Sequence, residues 1–292
     1  MIISRRTIQT VLGIIWFIDG LLQLKPQMFT KSFIEQVILP VAQGQPAWIG
    51  HSVTWAAHVI EPHIGVYNVI FAVIQLLIGL GLMFNVKVKT TLTISFIWTL
   101  IVWWFGEGFG QLLTGQALLL MGAPGAVLLY GLIGWSIWPD KDTDTQSGIS
   151  RRGIKIARWS LGILWILGAI LQLQPTYLTP KGIGGMFTAD WMASLVGNNG
   201  VSVSIILAVI ELAIGLGILI NRRVGPFMWA SIILSLFFWW VGQSFGQMFT
   251  ALGTDPNAGP LFVLLTLTAF PTLFARVELD DKPQAKNGPA TI

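Results

Sequence analysis

The sequence contains no cysteine, which excludes disulfides, thiolate metal sites and thiol redox chemistry. Charge is scarce: 10% of the 292 residues are Asp, Glu, Lys or Arg, against 54% hydrophobic. That balance excludes an ordinary soluble domain. There are three histidines, His51, His58 and His63, all in one stretch outside the apolar runs. Haem held by paired intramembrane histidines is therefore excluded. Phosphate-binding glycine loops, dinucleotide fingerprints and Ser/His/Asp patterns are missing as well. The basic pI does not point to nucleic acid, because Lys and Arg sort by membrane side, and no nucleic-acid partner is expected.

What is present is a series of apolar runs of bilayer length. They predict an all-α polytopic protein with eight spans, near 8–24, 65–84, 91–110, 117–138, 157–174, 201–220, 226–246 and 260–276. With the N-terminus in the cytoplasm, only Lys25, Lys31 and Lys181 of the seventeen basic residues remain outside, the asymmetry expected of a multi-pass protein. A bacterial plasma membrane with both termini cytoplasmic is the expected location. Arg5 and Arg6 precede a run that ends in Gln-Leu-Lys-Pro, not in a small-residue cleavage site, so no cleaved signal peptide is expected.

The runs are duplicated. Trp103-Trp104-Phe105-Gly106-Glu107-Gly108-Phe109-Gly110-Gln111 returns 136 positions later as Trp239-Trp240-Val241-Gly242-Gln243-Ser244-Phe245-Gly246-Gln247, each followed by a threonine, Thr114 and Thr250. The segment 73–81 returns at 209–217 with the same offset. Two four-span repeats follow, 1–139 and 151–278, joined by a solvated linker at 140–150 and ended by a disordered tail at 279–292. Four spans each make the repeats parallel. The long segment 27–64 reads as an external cap of short interfacial helices, with a shorter version around Phe187, Trp191 and Leu195.

Polar residues inside spans are expensive and are expected to face inward. In the first repeat Asp19 and Gln23 share a face with Trp16, Asn68 shares one with Gln75, and Trp104 shares one with Glu107 and Gln111. In the second repeat the candidates are Gln172, Glu211, Trp240, Gln243 and Gln247. Acid and amide exchange helices between copies: Gln75 and Glu107 become Glu211 and Gln243. Each pair is expected to meet, either as functional groups or as interhelical glue worth about 0.6–2 kcal/mol. Trp103 and Trp239 read as anchors, Trp104 and Trp240 as pocket walls. His58, Glu61 and His63 have a spacing that suits a metal, although Pro62 interrupts it.

Leu12-Gly13 with Asp19-Gly20-Leu21-Leu22-Gln23-Leu24-Lys25-Pro26, and Leu161-Gly162 with Leu171-Gln172-Leu173-Gln174-Pro175, resemble the first helix of DoxX-like four-helix membrane proteins. The Trp-Trp-x-Gly-x-x-Phe-Gly segments and Thr254-Asp255-Pro256-Asn257-Ala258-Gly259-Pro260 are similar to that group too. The resemblance implies four-span bundles and a link to quinone or sulfur chemistry, as in the small subunit of thiosulfate:quinone oxidoreductase. Three functions follow. The leading one is a small-solute or ion transporter or binder with an outward-facing polar pocket in each bundle. The alternatives are a cofactor-free membrane subunit of a quinone-linked oxidoreductase, which adds a quinone and a membrane partner subunit, and a structural or assembly protein.

Overall fold

The computed structural model describes residues 2–272; the expected disordered tail lies outside them. Among the described residues the chain is helical apart from one isolated bridge, Thr143 to Ser150. The first helix, α1 (Arg5–Leu22), starts where the Ser4 hydroxyl accepts from the Thr7 N–H. Its copy α7 (Arg151–Gln172) starts on Ser150, whose hydroxyl accepts from the Gly153 N–H at 2.9 Å. A serine cap of this kind satisfies a donor that the first turn leaves orphaned.

Ile8, Leu12, Ile15, Trp16 and Asp19 form the buried stripe of α1, and it packs on α4 (Ile64–Met83). In the second half α7 packs on α9 (Gly200–Ile220) in the same way. Glycines set the distance. A Cβ on Gly79 would lie 2.7 Å from the Phe17 nitrogen and 2.8 Å from the Gly13 oxygen. One on Gly215 would lie 2.7 Å from the Gly162 oxygen. Small residues let the two backbones touch, which is how helices associate where no hydrophobic drive separates them from lipid.

The other two helices of each half also pair, α5 (Val88–Phe105) with α6 (Ala126–Ser136), and α10 (Gly225–Val241) with α11 (Ala258–Ala269). The short helices α6 and α11 touch each other and α7, so they stand where the halves meet. One core runs through both halves and includes Trp16, Tyr130, Trp165 and Phe262.

Four helical stretches are long and apolar enough to cross a membrane: Ala47–Met83, Val88–Phe105, Arg151–Gln172 and Gly200–Ile220. A helix stands at each of the eight expected positions, but two are much shorter than read. The stretch 117–138 yields only the 11-residue α6, and 260–276 only the 12-residue α11. At about 1.5 Å per residue neither spans roughly 30 Å. The cause is local. Gly122 and Gly125 lie at φ 103° and 110°, and Asn257 lies at φ 64°, so the chain enters each helix late from a buried loop.

The expected cap is present. Short helical turns from Pro26 to Ala42, which include α2 (Lys31–Phe33), fold against α3 (Ala47–Ile60) over a small core of Met28, Phe33, Ile34, Ile49 and Val53. In the second half it shrinks to α8 (Asp190–Val196). Exposed tryptophans gather at both ends of the helices. Trp48, Trp55, Trp104, Trp191 and Trp240 lie at the cap end, and Trp135, Trp159 and Trp229 at the other. Tryptophan at both ends of apolar helices is the pattern of interfacial anchoring.

The linker is less solvated than read: Lys141, Asp142 and Gln146 are exposed, but Ser147, Ile149 and Ser150 are buried. Asp144 accepts from the Ser147 N–H and hydroxyl, both at 2.8 Å, and from the Gln146 N–H at 3.2 Å. The Ser147 carbonyl accepts in turn from the Arg5 N–H, which ties the linker to the start of α1.

Two predictions follow from these contacts. Gly79→Ala should drive a methyl into the Phe17 backbone and lower the melting temperature in detergent by several degrees, an overpacking cost of about 1–3 kcal/mol. An unchanged melting temperature would mean that α1 and α4 can move apart freely. The Ser147 hydrogen bonds hold the Asp144 carboxyl below its ordinary value. A lowered folded-state pKa stabilises above the unfolded value, about 3.9, and the gain disappears as pH falls through the folded value. The melting-temperature gap between wild type and Asp144→Asn should thus be widest near neutrality and close below about pH 4; a gap independent of pH would refute this.

Candidate functional site

The duplicated Trp-Trp-x-Gly-x-x-Phe-Gly-Gln segment is a turn. After α5 the backbone runs through four residues of positive φ, Gly108 to Gln111, at 52°, 56°, 62° and 61°. After α10 it does the same at Ser244 to Gln247, at 46°, 57°, 69° and 51°. A left-handed conformation costs about 1–2 kcal/mol for each non-glycine residue, so both turns need support. The support is the same in each. Phe109 meets Trp103 edge-on at 4.9 Å and 87°, and Phe245 meets Trp239 at 4.9 Å and 87°. The Trp103 indole N–H donates to the Pro124 carbonyl at 2.7 Å, and that of Trp239 to the Pro256 carbonyl at 2.5 Å. Thr114 and Thr250 close the turns, each hydroxyl donating at 2.8 Å to the carbonyl of Gln111 or Gln247.

This turn places the acid and the amide. Glu107 Oε1 accepts from the Val127 N–H at 3.1 Å, in the first turn of α6. Gln243 Oε1 accepts from the Gly259 N–H at 3.1 Å, in the first turn of α11. Both side chains therefore hold a helix N-terminus, where a negative or acceptor group is favoured.

In the first half these groups border a cavity of about 320 Å³. Its deep end carries Asp19, Gln23, Gln75, Glu107, Tyr130 and Asp255. Its walls are aromatic: Trp16, Phe33, Tyr67, Phe71, Trp98 and Phe105. Trp55, Val59 and Ile101, also lining it, are exposed on the outer surface, so the cavity reaches the surface between α3 and α5. Asp19 is 4% exposed; its Oδ2 accepts from the Tyr130 hydroxyl at 2.5 Å, and its Oδ1 has no partner. Glu107 Oε2, Gln75 Oε1 and the indole nitrogens of Trp16 and Trp98 are buried without partners too. Five orphaned polar atoms around one space are unusual, because buried polar groups are normally paired. Asp19, Glu107 and Asp255 lie within electrostatic reach of one another.

The second half has the same frame with the space filled. Gly168 stands for Asp19 and Phe262 for Tyr130, with Trp165 against Phe262 at 5.5 Å as Trp16 is against Tyr130 at 4.3 Å. Between Leu119, Trp165, Gln243 and Phe262 there is no room for a water molecule. A Cβ on Gly168 would lie 2.7 Å from Leu119 Cδ2 and 3.0 Å from Glu211 Oε2. The expected pocket in each bundle is thus a cavity in one only, because Leu119 occupies the other.

The predicted residues are distributed unevenly. Asp19, Gln23, Gln75 and Glu107 line the cavity. Gln75 and Glu107 share it without the expected hydrogen bond, since the Glu107 bond goes to Val127. Glu211 accepts from Gln172 Nε2 at 3.5 Å, not from Gln243, whose amide instead reaches Leu119 and Gly259. Asn68 is buried behind the wall, paired with Gln23. Gln111 donates to the Val41 carbonyl in the cap, and Gln247 is exposed.

None of the four tryptophans of the duplicated segment lines the cavity. Trp103 and Trp239 turn inward to carbonyls, while Trp104 and Trp240 lie on the surface against Ser52 and Trp191. Nor do His58, Glu61 and His63 gather into a metal site among the described residues. Pro62 breaks the helix between them, and the Glu61 carboxylate is taken by Lys31 at 3.0 Å.

Tyr130, Thr254 and Asp255 were missed. Tyr130 sits in an apolar run with no polar neighbour to flag it. Asp255 belongs to the second repeat and reaches the first bundle only because the loops cross. Lys25 Nζ donates to the carbonyls of Met248, Thr250 and Gly253, holding that loop in place. Reciprocally, Gln174 Nε2 donates to the Ala117 carbonyl at 2.7 Å and the Tyr177 hydroxyl to the Gln116 carbonyl at 2.5 Å. Compared with known protein families, curated proteins and solved structures, the chain matches none.

Tyr130→Phe should leave Asp19 without its donor and lower stability by about 1–3 kcal/mol. Asp19→Ala combined with Tyr130→Phe should cost less than the two single changes summed. Additive losses in thermal unfolding, followed by tryptophan fluorescence, would show that the two residues act separately.

Proposed function

We propose that this chain is an integral membrane protein that binds a small molecule, apolar in body and polar at one end, in the cavity of its first half. The reading includes eight membrane segments arranged as two parallel four-helix repeats, α6 and α11 being completed by the buried loops before them. Both termini then face the cytoplasm of a bacterium, in keeping with the distribution of Lys and Arg, and the resemblance to DoxX-like proteins belongs to the same proposal. The observation that carries it is the cavity itself. A space of about 320 Å³ with aromatic walls, lined by five residues that each carry an unpartnered polar atom, has the size and lining of a small-molecule site. Its opening between α3 and α5 suits a ligand that arrives dissolved in the bilayer. Transport would add a second opening towards the cytoplasm.

The orphaned indole N–H groups of Trp16 and Trp98 support a second reading. Two donors beside an aromatic slot suit the carbonyl oxygens of a quinone, as a quinone-linked membrane subunit would require.

Purified protein in lipid nanodiscs tests the first reading. A neutral aromatic alcohol such as 4-phenylbutanol should raise the melting temperature, by an amount corresponding to about 2.7 kcal/mol at a hundredfold excess over Kd. Val59→Trp at the mouth should abolish the rise. Equal stabilisation of wild type and Val59→Trp would place binding elsewhere, and no stabilisation by neutral, cationic or anionic compounds of this shape would remove the reading.

A further inference from the structure

We infer that the ligand of this cavity is an organic cation, an alkyl- or arylammonium whose charged head meets Asp19 and Glu107. The inference rests on the small-molecule reading above and narrows it by charge.

Three carboxyl groups border the cavity, Asp19, Glu107 and Asp255, and among the described residues no Lys, Arg or His does. The nearest basic residue along the chain, Lys25, is turned to three loop carbonyls and is not part of the lining. Asp255 is satisfied within its own loop by the Thr254 hydroxyl at 2.7 Å and the Asn257 N–H at 2.6 Å. Asp19 and Glu107 are not: each spends one oxygen on Tyr130 or Val127 and keeps the other without a partner. An acid in apolar surroundings is stable when it is protonated or when a cation lies beside it. Two carboxyl groups that border one space each keep an oxygen without a partner, and an ammonium head carries the donors they lack.

The walls agree with the floor. A bare metal ion would leave most of about 320 Å³ empty and would want more oxygens than two. An ammonium on a hydrocarbon or aryl body fills the space, and the aromatic lining attracts its charge. The second half is an internal control. It keeps the scaffold, replaces Asp19 with Gly168, Glu107 with Gln243 and Tyr130 with Phe262, and holds no cavity. The second half keeps one acid, Glu211, paired with Gln172, but the Asp19, Glu107 and Tyr130 set and the open space occur together in one copy and are absent together from the other.

Three probes of one shape separate the alternatives: 4-phenylbutylammonium, 4-phenylbutanol and 4-phenylbutyrate. Binding to the full chain in zwitterionic nanodiscs would be measured by titration calorimetry against protein-free discs. The ammonium compound should bind at least tenfold more tightly than the alcohol, and the carboxylate should not bind. Asp19→Asn should collapse the amine-to-alcohol ratio towards one. Glu107→Gln should reduce it severalfold; it carries the residue found at Gln243, so the fold has already accepted that side chain in this setting. An alcohol that binds as tightly as the amine would overturn the cation and leave the small-molecule site standing. A ratio unchanged in both variants would overturn it too, since the preference would then come from elsewhere. If none of the three compounds binds, the small-molecule reading falls with it.

Discussion

A chain that reverses direction within apolar surroundings must do so without leaving its backbone groups exposed, and here one device meets that demand twice. Phe109 and Phe245 sit in left-handed turns that the backbone would ordinarily avoid. Each is clamped by an edge-on tryptophan whose own N–H closes a carbonyl in the facing loop. Aromatic pairs of this kind contribute about 0.5–1.5 kcal/mol, comparable with the cost of one left-handed residue. Everything near the cavity depends on the turn. It presents Glu107 and Gln243 to the starts of α6 and α11, and it sends each loop across to the other half.

The two copies show how little chemistry separates a filled core from an open one. Trp16 and Trp165 occupy matching places, as do Tyr130 and Phe262. What differs is whether an acid with its hydroxyl partner stands at the junction, or a glycine with Leu119 lying over it. Ser231 adds a polar contact of its own in the second half, where its hydroxyl accepts from Trp165 Nε1 at 2.9 Å. The corresponding Trp16 nitrogen has no such partner. The second copy thus pairs the indole that the first leaves unpaired, although its own Glu211 Oε2 and Gln172 Oε1 are buried without partners.

Helical class and the inward placement of Asp19, Gln23 and Gln75 were legible because they follow from periodicity and from the cost of polar atoms in apolar runs. The length of α6 was not. Residues 117–125 are as apolar as a helix, and only the glycines at positive φ reveal that they form a buried loop. Trp104 was placed with Glu107 and Gln111 on one face because the helical register was carried past Phe105, where α5 ends and the left-handed turn takes over. The Glu211 and Gln243 pairing failed for a related reason. Equal spacing says that two residues face a common interior, but not which neighbour reaches them first. Asp255 could not be assigned to the first bundle at all, because no local pattern announces that two loops will exchange places.

The exchange has a consequence for how the molecule comes into being. Asp255, the Met248 to Gly253 carbonyls that hold Lys25, and the helix that follows them are among the last described residues to leave the ribosome. Until they arrive, Lys25 has no acceptors and the first bundle has an incomplete wall. The first copy can insert and pair its helices early, but its cavity acquires its final shape only after the second copy has been synthesised. The half that holds the open space is thus closed by a loop from the half that does not, and both belong to one chain.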